Sequence, residues 1–330
     1  MSKEAIDDYA RRRADEMIAK IEAGTAAWVK PWDNSMPDGC RPFCPATGRH
    51  YTGSNFIVLG MQDYEDPRWL TLKQANDLGC QIKKGQKGTV VQRGVYDKDV
   101  WNEEKKVKEK VKLDRPFFLP YFVFNAEQIS GLPVYTKPEV TWEPCTRADD
   151  LMQSYGVMLE HRAGNRAFYS PAADKIVMPL PQQFKSMEHY YATLLHEGIH
   201  ASGHSSRLGR DLSGSFGSKS YALEELRAEM GSWMLCSELG LASPGVDDNH
   251  AAYIQSWIQA LKDDPKVLFK AAADAEKAMR LLLTHDHVLF KDAQVEARKI
   301  TPPEKVQQRK PQRSRQRQRS NEPMEAGASR

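Results

Sequence analysis

The sequence predicts an α+β protein with two domains. Its 330 residues, 40% of them hydrophobic, are enough for two domains of ordinary size. In the second half a few short strand-like segments are followed by a run of helices, which is typical of α+β folds. Between the halves lies a segment with Pro133, Pro138 and Pro144. We therefore expect domains at residues 1–132 and 146–290, a linker at 133–145 and a disordered basic tail at 291–330.

The first half begins with a predicted helix over residues 4–23, where Ile6, Met17, Ile18 and Ile21 recur at helical spacing before Gly24. Thr71 and Gln74 form a capping box that opens a short helix ending at Gly79. Residues 88–96 and 117–124 are predicted strands. The charged segment between them, residues 97–114, is interpreted as a hairpin or a mobile loop.

The second half begins with a predicted helix near residues 147–155. Short strands are predicted near 157–160, 167–170 and 175–178. A helix at about 186–202, a Gly/Ser loop at 203–219, a helix around Glu225 and two further helices to about residue 283 follow. A small sheet with helices packed on it is the expected result.

The most informative motif is His196-Glu197-Gly198-Ile199-His200. Residues four apart on a helix share a face, so His196 and His200 can reach one metal ion. Glu197 lies beside them, where it could accept a proton from water at the metal as the general base of a hydrolase. The motif predicts a zinc site, with another divalent ion such as Mn²⁺ as an alternative.

A catalytic zinc site of this kind needs a third protein ligand. The helix at residues 221–233 supplies candidates, because Glu225 and Glu229 border its apolar stripe. The pair resembles the arrangement of glutamate-type zincins, which implies Glu225 as ligand and Glu229 as the carboxylate that orients a ligand histidine. The reverse assignment stays open. A solvated acidic face is the interpretation for Glu224, and His204 is a further candidate for contact with the site.

Composition narrows the class of protein. No apolar run is long enough to span a bilayer, and the N-terminus lacks the apolar core of a signal peptide, so we expect no membrane association and a cytoplasmic protein. Five cysteines suit a reducing compartment. Residues 301–320 include seven lysines and arginines but only one acidic residue, Glu304. This tail is expected to be a solvated arm, either inert or raising non-specific affinity for nucleic acid.

The first half carries residue types that suit single-stranded nucleic acid. Flat aromatic faces can stack on bases, a basic turn can meet phosphates, and polar side chains can contact sugars or base edges. The aromatic candidates are Trp28, Trp32, Tyr51, Trp69 and Tyr96. The basic candidates are Lys83, Lys84, Lys87 and Arg93, and the polar candidates are Asn55 and Gln74.

Several longer motifs resemble one known family. Trp28-Val-Lys-Pro-Trp32, Thr71-Leu-Lys-Gln74 and Asn125-Ala-Glu-Gln128 resemble the N-terminal domain of ArdC-type antirestriction proteins, a domain shared with the conjugative plasmid primase TraC. The two metal-site segments resemble the zincin-like metallopeptidase domain of the same family. The resemblance implies single-stranded-DNA binding, plasmid conjugation as the setting and protection of incoming DNA from host restriction.

Two functions from different classes are compatible with this sequence. One is an antirestriction protein with a zinc-dependent peptidase site, whose peptide substrate the sequence does not name. The other is a single-strand-binding replication or primase accessory protein with a structural or vestigial metal site. Because the proline-bearing linker suggests separable units, we expect residues 1–132 alone to retain most of the single-strand affinity.

Overall fold

The computed structural model describes residues 3–23, 41–103, 105–136, 144–215, 218–241 and 251–285. The helices are α1 Lys3–Glu22, α2 Ser54–Gly60, α3 Leu72–Asp77, α4 Pro144–Tyr155, α5 Met187–Ser202, α6 Lys219–Leu239, α7 Ala251–Asp263 and α8 Val267–Leu283. The strands are β1 Phe43–Cys44, β2 Arg49–His50, β3 Trp69–Leu70, β4 Gln81–Ile82, β5 Thr89–Asn102, β6 Val107–Asn125, β7 Ile129–Ser130, β8 Met158–His161, β9 Phe168–Ser170 and β10 Lys175–Met178. The predicted α+β class is confirmed.

The N-terminal half is built on a long antiparallel hairpin. Strands β5 and β6 pair along their length, and β3 joins the far edge of β6. One face of the hairpin packs on α2 through Val91, Val123 and their neighbours. Helix α3 begins with the predicted capping box, in which Thr71 and Gln74 exchange side-chain-to-backbone hydrogen bonds.

The segment at residues 97–114 is part of this hairpin. Its residues continue β5 and β6 as paired strands, with a register shift between Val95 and Asp97. The interpretation of this segment as a hairpin is confirmed for its described residues, and the alternative of a mobile loop is wrong.

The C-terminal half follows the predicted order closely. Strand β10 lies between β8, to which it is parallel, and β9, to which it is antiparallel. Helix α5 packs on β9 and β10, and its other side packs on α6 and α8. Helix α6 is buried over nearly its whole length, so it forms the centre of this half.

One hydrophobic core extends through both halves. Met17 and Ile21 of α1 and Phe56 of α2 belong to the same buried cluster as the residues of α5, α6 and α8. The rings of Phe56 and Trp233 lie 4.5 Å apart, centroid to centroid. Helix α1 also contacts α8 through Tyr9 and Phe269, whose ring centroids are 5.7 Å apart. This packing contradicts the expectation that residues 1–132 form a unit separable from the rest.

Buried charges join the two halves as well. Arg41 is 5% exposed, and its guanidinium lies 3.1 Å from a carboxylate oxygen of Glu238 and 3.4 Å from one of Glu276. The same oxygen of Glu276 accepts a hydrogen bond of 3.2 Å from the backbone N–H of Gly53, just before α2. Since buried charges are costly unless paired, these contacts fix how the N-terminal segment sits on α6 and α8.

In the part of the chain that the structure describes, no helix has the length and hydrophobicity needed to cross a bilayer. Trp28 and Trp32 lie outside the described residues, as do most of the proposed linker and the whole basic tail at 291–330. The domain boundaries inferred from the sequence stay predictions.

Candidate metal centre and candidate nucleic-acid surface

Helix α5 carries both histidines of the motif on one face. Its start is capped by Ser186, whose side-chain oxygen accepts a hydrogen bond from the backbone N–H of His189. Because His196 and His200 are one turn apart, their rings meet in a T-shaped arrangement with centroids 4.8 Å apart. Their Nε2 atoms are 3.1 Å apart. Two imidazole nitrogens therefore converge on one place.

Helix α6 brings Glu225 to that place. Its carboxylate oxygens lie 3.5 Å from Nε2 of His196 and 3.6 Å from Nε2 of His200. Candidate ligand atoms of the three residues all lie within 4.8 Å of one another. The helices can approach because Gly231 has no side chain, and a Cβ there would come within 2.8 Å of Ile199. Two imidazoles and one carboxylate suit a catalytic zinc-type site.

The opposite nitrogens of the two rings face other carboxylates. Nδ1 of His196 lies 3.5 Å from Glu229, and Nδ1 of His200 lies 3.3 Å from Glu224. Such contacts on Nδ1 orient a histidine and leave Nε2 directed towards a metal ion. Of the two glutamates that the sequence left open, Glu225 therefore lies on the Nε2 side and Glu229 on the Nδ1 side.

Glu224 departs from its predicted place on a solvated face. It is 6% exposed, and Arg210 binds it through two guanidinium nitrogens at 3.0 and 2.6 Å. Burial alone would raise its pKa, but His200 and Arg210 lower that pKa to about 2. The sequence signal for this burial is that α6 is apolar on several faces, as in a helix surrounded by protein. Nothing in the sequence identifies Arg210, which comes from a loop fourteen residues earlier.

The charges at the centre favour a cation. Burial lowers the pKa of His200, but hydrogen bonds to Glu224 and Glu225 raise it well above its usual value. Burial raises the pKa of Glu225, but the larger opposing effect of the two histidines brings that pKa far below its usual value. The carboxylates thus draw protons onto the imidazoles, and a divalent ion competes for the same nitrogens. The donor set fits such an ion.

Glu197, the predicted general base, is 7% exposed on α5. Its negative charge acts on His200 and contributes to the raised pKa of that ring. This places the carboxylate in the electrostatic environment of the cluster. Its catalytic role stays a prediction.

His204 lies apart from the cluster. Its Nδ1 contacts the hydroxyl of Ser206 at 2.7 Å and lies 3.9 Å from Asp174. It lies two residues beyond the end of α5, and it is not among the residues whose ligand atoms converge. A role of His204 in supporting the metal site stays a prediction.

Two predicted stacking residues are core residues. Trp69 is 2% exposed and packs against Tyr64, and Tyr51 is 9% exposed. The hydroxyl of Tyr51 donates a hydrogen bond of 3.3 Å to the backbone carbonyl of Trp69. Neither ring offers a face to a base, so the prediction that they stack on DNA is wrong. A buried aromatic residue is the more common case, and the sequence does not separate the two.

Asn55 and Gln74 are used by the protein itself. The side-chain amide of Asn55 exchanges two hydrogen bonds, of 2.7 and 2.9 Å, with the backbone of Gln92 on the edge of β5. Gln74 completes the capping box of α3. Both amides hold backbone groups that would otherwise lack partners, which contradicts their predicted contacts with DNA.

The basic candidates are on the surface. Lys83, Lys84 and Lys87 are exposed in the turn between β4 and β5, and Arg93 is exposed on β5. Lys83 also donates a hydrogen bond of 2.7 Å to the backbone carbonyl of Glu127. Their DNA contacts stay predictions.

Exposed aromatic residues that the sequence did not distinguish lie on the hairpin. Tyr96 was expected to be available for stacking, and it is 58% exposed. Trp101, Phe118 and Phe122 are exposed by 50, 46 and 60%. The exposure of Phe118 and Phe122 could have been inferred from the predicted strand at 117–124, because alternate residues of a strand point away from the core.

Comparisons with known proteins cover both halves. Residues 7–124 match the family model described as the N-terminal domain of anti-restriction factor ArdC. Residues 146–274 match the model of a zincin-like metallopeptidase. Two DNA primases TraC from Escherichia coli are 45% and 44% identical to 86% and 83% of this chain. The chain spans only 20% and 27% of the length of those relatives.

Two solved structures are similar to this chain over most of its length. The metal-free antirestriction ArdC protein from the R388 plasmid is 37% identical, with a TM-score of 0.68. The match covers 86% of this chain and 100% of that one. The Mn(II)-bound structure of the same ArdC protein is 39% identical over 85% of this chain and 99% of that chain, with a TM-score of 0.66.

Proposed function

Because this chain belongs to the ArdC family of antirestriction proteins, we propose that it binds single-stranded DNA and protects incoming plasmid DNA from host restriction. The observation that carries the proposal is the similarity to one ArdC protein over that protein's full length, through both halves in order. Such a function places the protein in the cytoplasm during conjugation, where entering DNA meets restriction enzymes.

We further propose that His196, His200 and Glu225 hold one divalent metal ion. The convergence of their ligand atoms supports this, and so does the Mn(II) in the related ArdC structure. The donor set favours zinc, and manganese is the alternative. Glu229 and Glu224 would orient the two rings from their Nδ1 sides.

The site has the residues of a peptidase. When bound, a zinc ion supplies Lewis acidity and lowers the pKa of water towards neutrality. Glu197 would take a proton on its carboxylate and pass it to the nitrogen of a leaving amine. Its low exposure keeps that carboxylate away from bulk solvent. The peptide that would be cut is not identified by this geometry.

We propose that coverage of the DNA, rather than proteolysis, is the main protective mechanism. A protein that coats single strands blocks a nuclease without having to recognise that nuclease as a substrate. The exposed lysines of the turn between β4 and β5 support binding to the phosphate backbone. The metal site would then be auxiliary.

The deciding experiment is protection of transferred DNA by Glu197→Gln. The substitution keeps the size of the side chain and removes the base, so we expect metal content, DNA affinity and protection all to stay close to wild type. Glu188→Gln, an exposed glutamate on the same helix, is the matched control. Loss of protection with metal and DNA binding retained would overturn the coating mechanism and make hydrolysis central.

A second candidate function is an accessory role in replication or priming, with a structural or vestigial metal site. The identity of 45% to the primase TraC favours it. It predicts that plasmid establishment depends on the protein equally in recipients with and without restriction enzymes. Dependence only in restricting recipients would exclude it in favour of antirestriction.

A further inference from the structure

The strand register of the hairpin places several apolar side chains on one outward face. Residues paired across the hairpin share a face, and Val90 pairs with Phe122, while Gly94 pairs with Phe118. The ring of Tyr96 covers Gly94, since a Cβ there would come within 2.6 Å of it. Tyr96, Phe118 and Phe122, which we call the aromatic face, therefore lie on the side opposite the core residue Val91.

The aromatic face is open to solvent. Its three rings are 58, 46 and 60% exposed, whereas the neighbouring Phe124 is half-buried against the small core beside α3. Single exposed apolar residues are normal, but a group of large aromatic rings on one face of two paired strands marks a binding surface. Its occupant must offer flat apolar surfaces, because the rings themselves are flat.

The spacing favours single-stranded over double-stranded nucleic acid. Phe118 and Phe122 are four residues apart on β6, which corresponds to about 13 Å along the strand. Bases within one strand of a duplex are separated by about 3.4 Å. Bases seated on such rings must therefore be pulled apart from one another, which a single strand allows and an intact duplex does not. Stacking is also tolerant of sequence, because every base has a flat face.

Positive charge lies next to the aromatic face. The exposed turn with Lys83, Lys84 and Lys87 runs directly into Gly88. A Cβ at Gly88 would lie 3.1 Å from the Cβ of Phe122, so the chain passes beside the base of that side chain. A strand whose bases rest on the aromatic face thus has lysines at hand for its phosphates.

We propose that Tyr96, Phe118 and Phe122 are the base-stacking residues of a single-stranded-DNA site on the outward face of the hairpin. The proposal rests on the proposed function and deepens it by naming the surface. It also assigns different roles to two neighbours. Phe117 and Arg93 lie on the other face of the same strands, where they pair with Val95 and Leu119, so they do not contact the bases.

The test uses the full chain and, as the probe, a labelled single-stranded oligothymidine without secondary structure. Phe118→Ala and Phe122→Ala should each weaken binding by about 5- to 150-fold, the range for loss of one stacked base. Phe122→Trp should keep the wild-type affinity and Phe122→Leu should lose it, because only tryptophan keeps a flat ring at this position. Phe117→Ala is the matched control, since Phe117 is 43% exposed on the same strand, and it should bind as wild type does.

The salt dependence separates rings from charges. The aromatic variants should keep the wild-type slope of log affinity against log salt, whereas replacing the three lysines of the turn should flatten it. If wild type binds the oligonucleotide and Phe118→Ala and Phe122→Ala bind it equally well, the stacking role of the aromatic face is wrong, while the proposed DNA binding still holds. A change in oligomeric state without a change in affinity would do the same and assign the face to a second copy. Absence of binding by wild type would overturn the proposed function itself.

Discussion

Each histidine of the proposed metal centre has one nitrogen towards Glu225 and the other towards a second carboxylate. His196 faces Glu229 on its Nδ1 side, and His200 faces Glu224. Removing an orienting carboxylate leaves the ligands in place but frees the ring to rotate. Removing Glu225 takes away a donor altogether.

We therefore expect a graded loss of zinc affinity. Glu224→Ala and Glu229→Ala should each weaken binding by about 10- to 100-fold, and Glu225→Ala should weaken it more. Competition with a chromophoric chelator measures all three. Glu188→Ala, on the histidine helix but exposed, should bind as wild type does. If Glu229→Ala lost more affinity than Glu225→Ala, the two assignments would be exchanged.

The sequence predicts these residues unequally. His196 and His200 are recognisable because a fixed spacing of four is also a fixed direction on a helix. The roles of Tyr51 and Trp69 could not be read in that way, because an aromatic side chain has the same composition in a core and on a binding surface. Only the fold decides which face of each ring is covered.

At the scale of elements, the metal centre depends on how closely two helices pack. Gly231 on α6 faces Ile199 on α5, and a Cβ at Gly231 would lie 2.8 Å from both Cδ1 and Cγ1 of that side chain. Ile is stiff at χ1, so Cγ1 cannot simply move aside. The separation of the two ligand-bearing helices is thus set by one missing methyl group.

We expect Gly231→Ala to destabilise the protein by about 1–3 kcal/mol through overpacking, in spite of its better helix propensity. It should also weaken zinc binding, because Glu225 moves with its helix. Chemical denaturation and chelator competition measure the two effects. The double variant with Ile199→Ala removes the clash, so it should be more stable than the sum of the single changes predicts. Strict additivity would contradict the proposed contact.

The hairpin shows where sequence patterns lose information about elements. Residues 97–114 are highly charged, and such a composition is compatible with either an exposed loop or an exposed pair of strands. In the structure, Asp97 is opposite Lys112 and Asp99 is opposite Lys110, so opposite charges support the pairing. Those partners are known only once the register is known. The helices of the second half were predictable because each carries its own periodic apolar face.

At the scale of the whole molecule, Arg41 connects parts of the chain that the sequence suggested were separate. Its guanidinium lies between Glu238 on α6 and Glu276 on α8. Those side chains are only 11% and 10% exposed, and loss of the arginine leaves their charges with less compensation.

Arg41→Ala should therefore lower the free energy of unfolding by about 3 kcal/mol. Because one hydrophobic core extends through both halves, the whole transition should shift as a unit, with circular dichroism and tryptophan fluorescence changing together. Arg49→Ala, an exposed arginine of the same segment, should leave the midpoint unchanged. Two separate transitions in wild type would show that the halves unfold independently.

The position of α1 also has a consequence for synthesis. The helix of residues Lys3–Glu22 is the first described element to leave the ribosome, yet it packs against α7 and α8, the last ones. More than 200 residues separate α1 from α7, and at a translation rate of about 5–20 residues per second their synthesis takes roughly 10–50 seconds. During that time Met17, Ile18 and Ile21 have no final partners among the later helices. The apolar face of α1 therefore stays without its native cover on the nascent chain until α7 and α8 have been synthesised.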